Sequence, residues 1–218
     1  MTLDEKTIHA IQETLKQKLA HPVEILLFTT DQMTGSVDNR GYNDFAGDLC
    51  DELSGMSASI SCERHDLFGE QGTALGLALS PTILVGQDGI FPIQYWGAPG
   101  GKQGGSFIEA ILMTSRREPG LSESSVQKLS GQSEPMLLEY FVTPDCDFCS
   151  GAIDLANRIA LASGGWITAR HVDVTQGMDR ALLYNVESVP HLVIDEDPTT
   201  SIVGFRNEEE LLKVVLGS

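Results

Sequence analysis

Two cysteines separated by two residues, Cys146-Asp147-Phe148-Cys149, are the part of this sequence best suited to chemistry. An apolar run, Met136–Thr143, leads to them through Pro144. A segment apolar at helical spacing, Ala152–Ala162, follows, with Ile153, Ala156, Ile159 and Ala160 on one side. A helix beginning near Cys149 puts Cys146 at its N-terminus, where unpaired N–H groups and the helix dipole favour a thiolate. Two intervening residues bring the second thiol one turn on, within bonding reach of the first. The chemistry expected is dithiol–disulfide exchange, with Cys146 attacking and Cys149 resolving the mixed disulfide. Half a zinc site is the competing reading, but tetrahedral zinc needs two further ligands. Cys50 and Cys62 lie in the other half of the chain, and His171 and His191 show no metal-ligand spacing. A purely structural pair of buried thiols fits the strand–CxxC–helix context less well.

Pro190 supports the exchange reading. It follows Val189 and opens an apolar stretch, His191–Ile194, where a proline would normally interrupt strand pairing. A cis Val189–Pro190 bond accounts for it, and sets the Val189 backbone ready to pair with an extended substrate segment. Ser80–Pro81 is expected to match it. The bland alternative is an ordinary turn proline.

The elements that must position these residues repeat along the chain. Val23–Thr30 matches Met136–Thr143, Ile60–Leu67 matches Ile167–Val174, and Leu79–Val85 matches Ser188–Ile194. Helical segments Tyr42–Leu53 and Ala152–Ala162 follow the first strand of each half. Each half closes with a glycine, Gly97 or Gly204, and an amphipathic helix, Phe107–Thr114 or Glu208–Leu216, the latter with Asn207 as N-cap. Asp4–Leu19 and Leu121–Leu129 are expected as opening helices. The Pro119-Gly120 stretch places a boundary between residues 1–118 and 119–218. Strands alternating with helices argue an α/β fold in each half.

Composition narrows the function classes. The net charge of −17 is shared by both halves, which repels phosphate backbones and anionic lipids, so nucleic-acid and membrane-surface roles are unexpected. Solubility is the plain meaning of that charge, and a partner with a basic patch is compatible with it. No apolar run is long enough to span a bilayer, and the acidic start, Met1–Lys6, is unlike a secretory signal, so a cytoplasmic location is expected. Four cysteines are too few for a disulfide-stapled secreted fold. Cys50 and Cys62 are expected as buried inert thiols, a bridge between them requiring close Cβ atoms. Trp96 and Trp166 read as core or edge aromatics. Gly100-Gly101 and Gly104-Gly105 read as a flexible turn, since the phosphate-loop pattern is incomplete.

The run Thr143-Pro144-Asp145-Cys146-Asp147-Phe148-Cys149, with Ser188-Val189-Pro190 and Gly204, resembles the thioredoxin fold. The partial echo in Leu79-Ser80-Pro81-Thr82 and Gly97 makes the chain similar to tandem, glutaredoxin-like protein disulfide oxidoreductases. It is similar also to the N-terminal domain of the alkyl hydroperoxide reductase flavoprotein. The resemblance implies two tandem thioredoxin-like domains, each a central mixed β-sheet flanked by helices. It implies catalytic Cys146 and Cys149, with substrate contacts at Pro144, Phe148, Val189 and Pro190. Implied partners are protein disulfides, a thioredoxin-reductase-like electron donor and, as one candidate, a peroxiredoxin. No flavin or nicotinamide fingerprint is recognisable, so no cofactor is expected. The alternative is a partner-binding double thioredoxin fold with a slow or vestigial redox switch.

Some residues depart from that family pattern. Met33 and Ser36 align with Cys146 and Cys149, so the first half is expected to be redox-silent at that site. Asp145 and Asp147 flank the nucleophile and oppose the helix-end effect on its thiolate. Thioredoxins carry a buried acid six residues before the first cysteine, where this sequence has Tyr140. Glu139 beside it points to the opposite face of the strand, which leaves open what accepts the proton from Cys149.

Overall fold

The computed structural model describes residues 5–217. In chain order the elements are α1 (Glu5–Lys18), β1 (Val23–Thr29), α2 (Arg40–Met56), β2 (Ile60–Asp66), α3 (Glu70–Ala74), β3 (Thr82–Gln87), β4 (Ile90–Trp96) and α4 (Gln103–Arg116). They continue with α5 (Glu123–Leu129), β5 (Met136–Val142), α6 (Cys149–Ala162), β6 (Ile167–Asp173), α7 (Met178–Leu183), β7 (His191–Ile194), β8 (Asp197–Val203) and α8 (Glu208–Val215). Asp4, expected to begin the first helix, lies outside the described residues. The expected helices and first strands are present with ends shifted by a few residues, α4 starting one turn earlier than its apolar spacing suggested. The short helices α3 and α7 carry too few periodic residues to show in the sequence.

Eight strands form one sheet in the order β2-β1-β3-β4-β6-β5-β7-β8. The order within β1–β4 repeats in β5–β8, giving two four-stranded units. They are joined by parallel pairing of β4 with β6, from Ile93↔Ala169 to Trp96↔Val172. The interior strands β1, β3 and β5 are almost continuously apolar, as burial on both faces requires. Helices α1, α2, α4, α5, α6 and α8 cover one face over a core that includes Leu53, Tyr95, Phe107, Tyr140 and Ile153. On the other face Phe28, Leu67, Trp96, Phe141 and Tyr184 pack together. Each such side chain contributes about 1.5–3 kcal/mol on burial. The last helix is fixed by a reciprocal cap, in which Glu210 N–H donates to Asn207 Oδ1 and Asn207 N–H donates to Glu210 Oε2.

One expectation is corrected here. Cys50 on α2 and Cys62 on β2 are not separate thiols but are joined as a disulfide, with Cα atoms 5.9 Å apart. The helix packs back over the edge strand that follows it, which brings together residues that sequence distance alone does not pair.

The strand directions decide where chemistry can occur. β1 and β5 are each parallel to their following strand, β2 or β6, and β4 is parallel to β6. With β3 antiparallel to both β1 and β4, the C-terminal ends of β1 and β5 open on the same edge of the sheet. They are four strand spacings apart, roughly 20 Å.

Candidate active site

At the end of β5 the chain turns through Pro144. Cys146 N–H donates to Thr143 O at 3.3 Å, and α6 begins at Cys149. Cys146 and Cys149 are bonded, with Cα atoms 5.4 Å apart. The first-turn N–H of Cys149 donates to Cys146 Sγ at 3.1 Å, which places a helix-end donor on that sulfur, where it would stabilise a thiolate. Cys146 is half-buried, whereas Cys149 is 1% exposed. A large partner therefore meets Cys146 first.

The surroundings are apolar and open. Phe148 is 72% exposed, and Phe205 packs beside Gly151, where an added Cβ would lie 3.3 Å from its ring. Pro144 and Val189 are half-buried and Pro190 is buried. Val189–Pro190 is cis, as is Ser80–Pro81. Among the described residues neither the N–H nor the C=O of Val189 has a hydrogen-bond partner, while Pro190 O accepts from Gly204 N–H at 2.8 Å.

Residues of the first unit complete the site. Lys102 N–H donates to Pro144 O at 2.9 Å, and Lys102 Nζ reaches Asp145 O at 3.2 Å and the Asp147 carboxylate. Ser150 Oγ donates to Lys102 O and Ser106 Oγ to Ser150 O, each at 3.4 Å. The glycine-rich stretch is therefore not a flexible turn. Gly104 and Gly105 lie within α4, and Gly101, at φ +56°, sits where a Cβ would come within 2.8 Å of Pro144 O. Sequence reading does not find Lys102, because its partners are over forty positions away.

Buried polar groups lie nearby. Asp173, at the end of β6, accepts from Thr175 N–H, Thr175 Oγ1 and the side chains of Gln176 and Gln103. Burial pushes its carboxyl up, against those hydrogen bonds. Gln176 also pairs with both the N–H and C=O of Ala98, tying the second unit to the first. Burial pushes the Tyr140 phenol up as well, so the residue at the thioredoxin acid position holds its proton. On the opposite face Glu139 is fully buried and accepts from Arg180 Nε and Nη2 and from Arg170 Nη1.

The corresponding place in the first unit is closed. The segment between β1 and α2 spans residues 30–39, where the second unit uses only 143–148. Ser36 consequently lies four residues before its helix, so the expected correspondence of Met33 and Ser36 with the two cysteines is corrected by this longer loop. Met33 is exposed, and Ser36 donates through both N–H and Oγ to the carboxylate of Asp179 on α7. The N–H of Ser80, preceding the cis-proline of this unit, donates to Thr34 Oγ1 at 3.2 Å. The backbone group that is open at Val189 is thus occupied internally at Ser80.

No family model matches the chain. The AhpF component of the alkyl hydroperoxide reductase of Staphylococcus epidermidis is 25% identical over 182 residues, covering 83% of this chain and 33% of that protein. The chain spans about a third of the length of these curated relatives. Among solved structures, the NTD_N/C domain of alkylhydroperoxide reductase AhpF from Enterococcus faecalis superimposes with TM-score 0.81 at 20% identity, covering 97% of this chain and 99% of that one. A protein disulfide oxidoreductase from Aeropyrum pernix superimposes with TM-score 0.82 at 22% identity, covering 99% and 93%.

Proposed function

This chain folds as two thioredoxin-like units in tandem, and we propose that it is a thiol–disulfide oxidoreductase working through Cys146 and Cys149. The observation that carries the reading is the half-buried Cys146 sulfur receiving the N–H of a buried Cys149 at the start of α6. In the reduced protein the Cys146 thiolate attacks one sulfur of a substrate disulfide and expels the other as a thiolate. Cys149 then attacks Cys146, releasing the second substrate thiol and leaving the Cys146–Cys149 disulfide. Two electrons from a reductase restore the dithiol. Val189, Pro190, Pro144 and Phe148 form the substrate surface, the unpaired Val189 backbone pairing with an extended segment. The partners are protein disulfides and redox proteins of the reductase or peroxiredoxin kind, a reading supported by the likeness to the AhpF component of alkyl hydroperoxide reductase.

We divide the chain into a degenerate thioredoxin-like unit lacking CxxC, residues 1–118, and a dithiol unit, residues 119–218. No helix among the described residues is long and apolar enough to cross a membrane. The cytoplasm, where a dithiol of this kind is kept reducible, is the compartment we propose. The test is turnover of insulin disulfides by the full chain with a thiol reductant. Turnover that persists in Cys146→Ser would refute the assignment.

A further inference from the structure

The loop that carries the nucleophile is held by the other unit. Four hydrogen bonds and an ion pair join residues 102–106 to residues 144–150. The N–H, C=O and ammonium of Lys102 all take part. The close approach of Gly101 to Pro144 requires a residue without a Cβ at positive φ. Two carboxylates, Asp145 and Asp147, stand on either side of Cys146, and in a chain of 14 basic and 31 acidic residues a cation at this place is not background. Lys102 grips the loop on both sides of the sulfur, at Asp145 O and at the Asp147 carboxylate.

We propose that Lys102 is a positioning residue for the Cys146–Cys149 couple: it fixes the loop that presents Cys146 and offsets the Asp147 carboxylate that opposes its thiolate. The inference rests on the dithiol reading above and assigns the first unit a part in the reactivity of the second. One positive charge near a half-buried sulfur at the protein surface, in a dielectric close to that of water, alters attraction for an anionic reagent about threefold. Loss of a purely structural contact would affect charged and neutral reagents alike.

The experiment uses the full chain, reduced, with alkylation at Cys146 followed by mass spectrometry. The iodoacetate rate is divided by the iodoacetamide rate at the same pH. In both reactions the thiolate lone pair forms the S–C bond and iodide leaves. Lys102→Met is expected to lower this ratio about threefold, and to shift the equilibrium with glutathione toward the disulfide by a similar factor. Lys102→Arg is expected to keep the ratio. Gly101→Ala, which displaces the loop but retains the charge, is expected to lower it less, and supplies the reading should Lys102→Met not fold. An unchanged ratio in a folded Lys102→Met protein, or in Gly101→Ala should Lys102→Met not fold, overturns the inference while leaving the dithiol reading intact. A wild-type protein in which Cys146 neither alkylates nor supports insulin reduction overturns both.

Discussion

Replacing Glu139 by Gln is expected to destabilise the protein by about 3 kcal/mol, near the lower end of the cost of breaking a buried ion pair. Glu139 is completely buried and accepts three hydrogen bonds, from Arg180 Nε at 2.6 Å, Arg180 Nη2 at 2.9 Å and Arg170 Nη1 at 3.2 Å. The amide keeps one acceptor but turns its NH2 against guanidinium donors, and one buried and one partly buried cation lose their central counter-charge. Three features limit the cost. Glu196 still reaches both arginines, the Arg180 side chain is 19% exposed, and both guanidinium groups lie over the Trp96 ring. Glu196→Gln, at a half-exposed carboxylate, is expected to cost below about 1 kcal/mol. The assay is urea unfolding followed by far-UV circular dichroism, with the slope against denaturant unchanged because the same surface is exposed. A loss under about 1 kcal/mol for Glu139→Gln, or equal losses for the two variants, would refute the reasoning that burial decides the value of this network.

Cys146→Ser is expected to lower insulin reduction by roughly 100-fold or more, while Cys149→Ser accumulates mixed disulfides visible on non-reducing gels; full multi-turnover activity without trapping in Cys149→Ser would eliminate the dithiol mechanism. The Cys50–Cys62 bridge closes a separation of 12 residues, so Cys62→Ser is expected to cost about 3 kcal/mol in unfolding under oxidising conditions, with the gap closing in dithiothreitol. Burial holds the His171 imidazole at a pKa of about 3, well below its ordinary 6.5, and pushes His191 in the same direction. Between those values the unfolded chain binds a proton that the folded protein does not, so stability falls as pH drops below 6.5. His171 alone contributes about 1.6 kcal/mol of loss between pH 6.5 and 5. His171→Gln is expected to flatten that slope in urea midpoints measured across the range, and an unaltered slope would exclude His171 as its source.

The sequence showed most clearly what local pattern controls. Val23–Thr30 and Met136–Thr143 read as strands because both faces are largely apolar, and α8 was visible in its cap. The dithiol was legible because strand, proline, CxxC and helix are contiguous. Non-local contacts were not legible. Lys102 touches Asp145 across the seam between units, and Cys50 meets Cys62 only once α2 folds back on β2. The ten-residue loop before α2 defeated a residue-by-residue match with the shorter loop before α6, and so misplaced the counterparts of the two cysteines.

The seam between β4 and β6 also bears on how many copies of this chain can come together. It is a head-to-tail contact: the fourth strand of one unit meets the edge strand of the next, running the same way. Such a contact is not self-complementary, and repeated between molecules it would build a ring or a filament. The free counterparts of its two sides are β8 and β2, which terminate the sheet. The seam side of the first unit is mostly apolar, Ile90-Phe91-Pro92-Ile93-Gln94-Tyr95-Trp96, whereas β8 reads Asp197-Pro198-Thr199-Thr200-Ser201-Ile202-Val203 and is mostly polar. At the other end β2 carries Glu63, Arg64, His65 and Asp66 along its rim. Polar and charged edges resist strand addition, so the fold permits this pairing once, within the chain, and discourages the same step between chains.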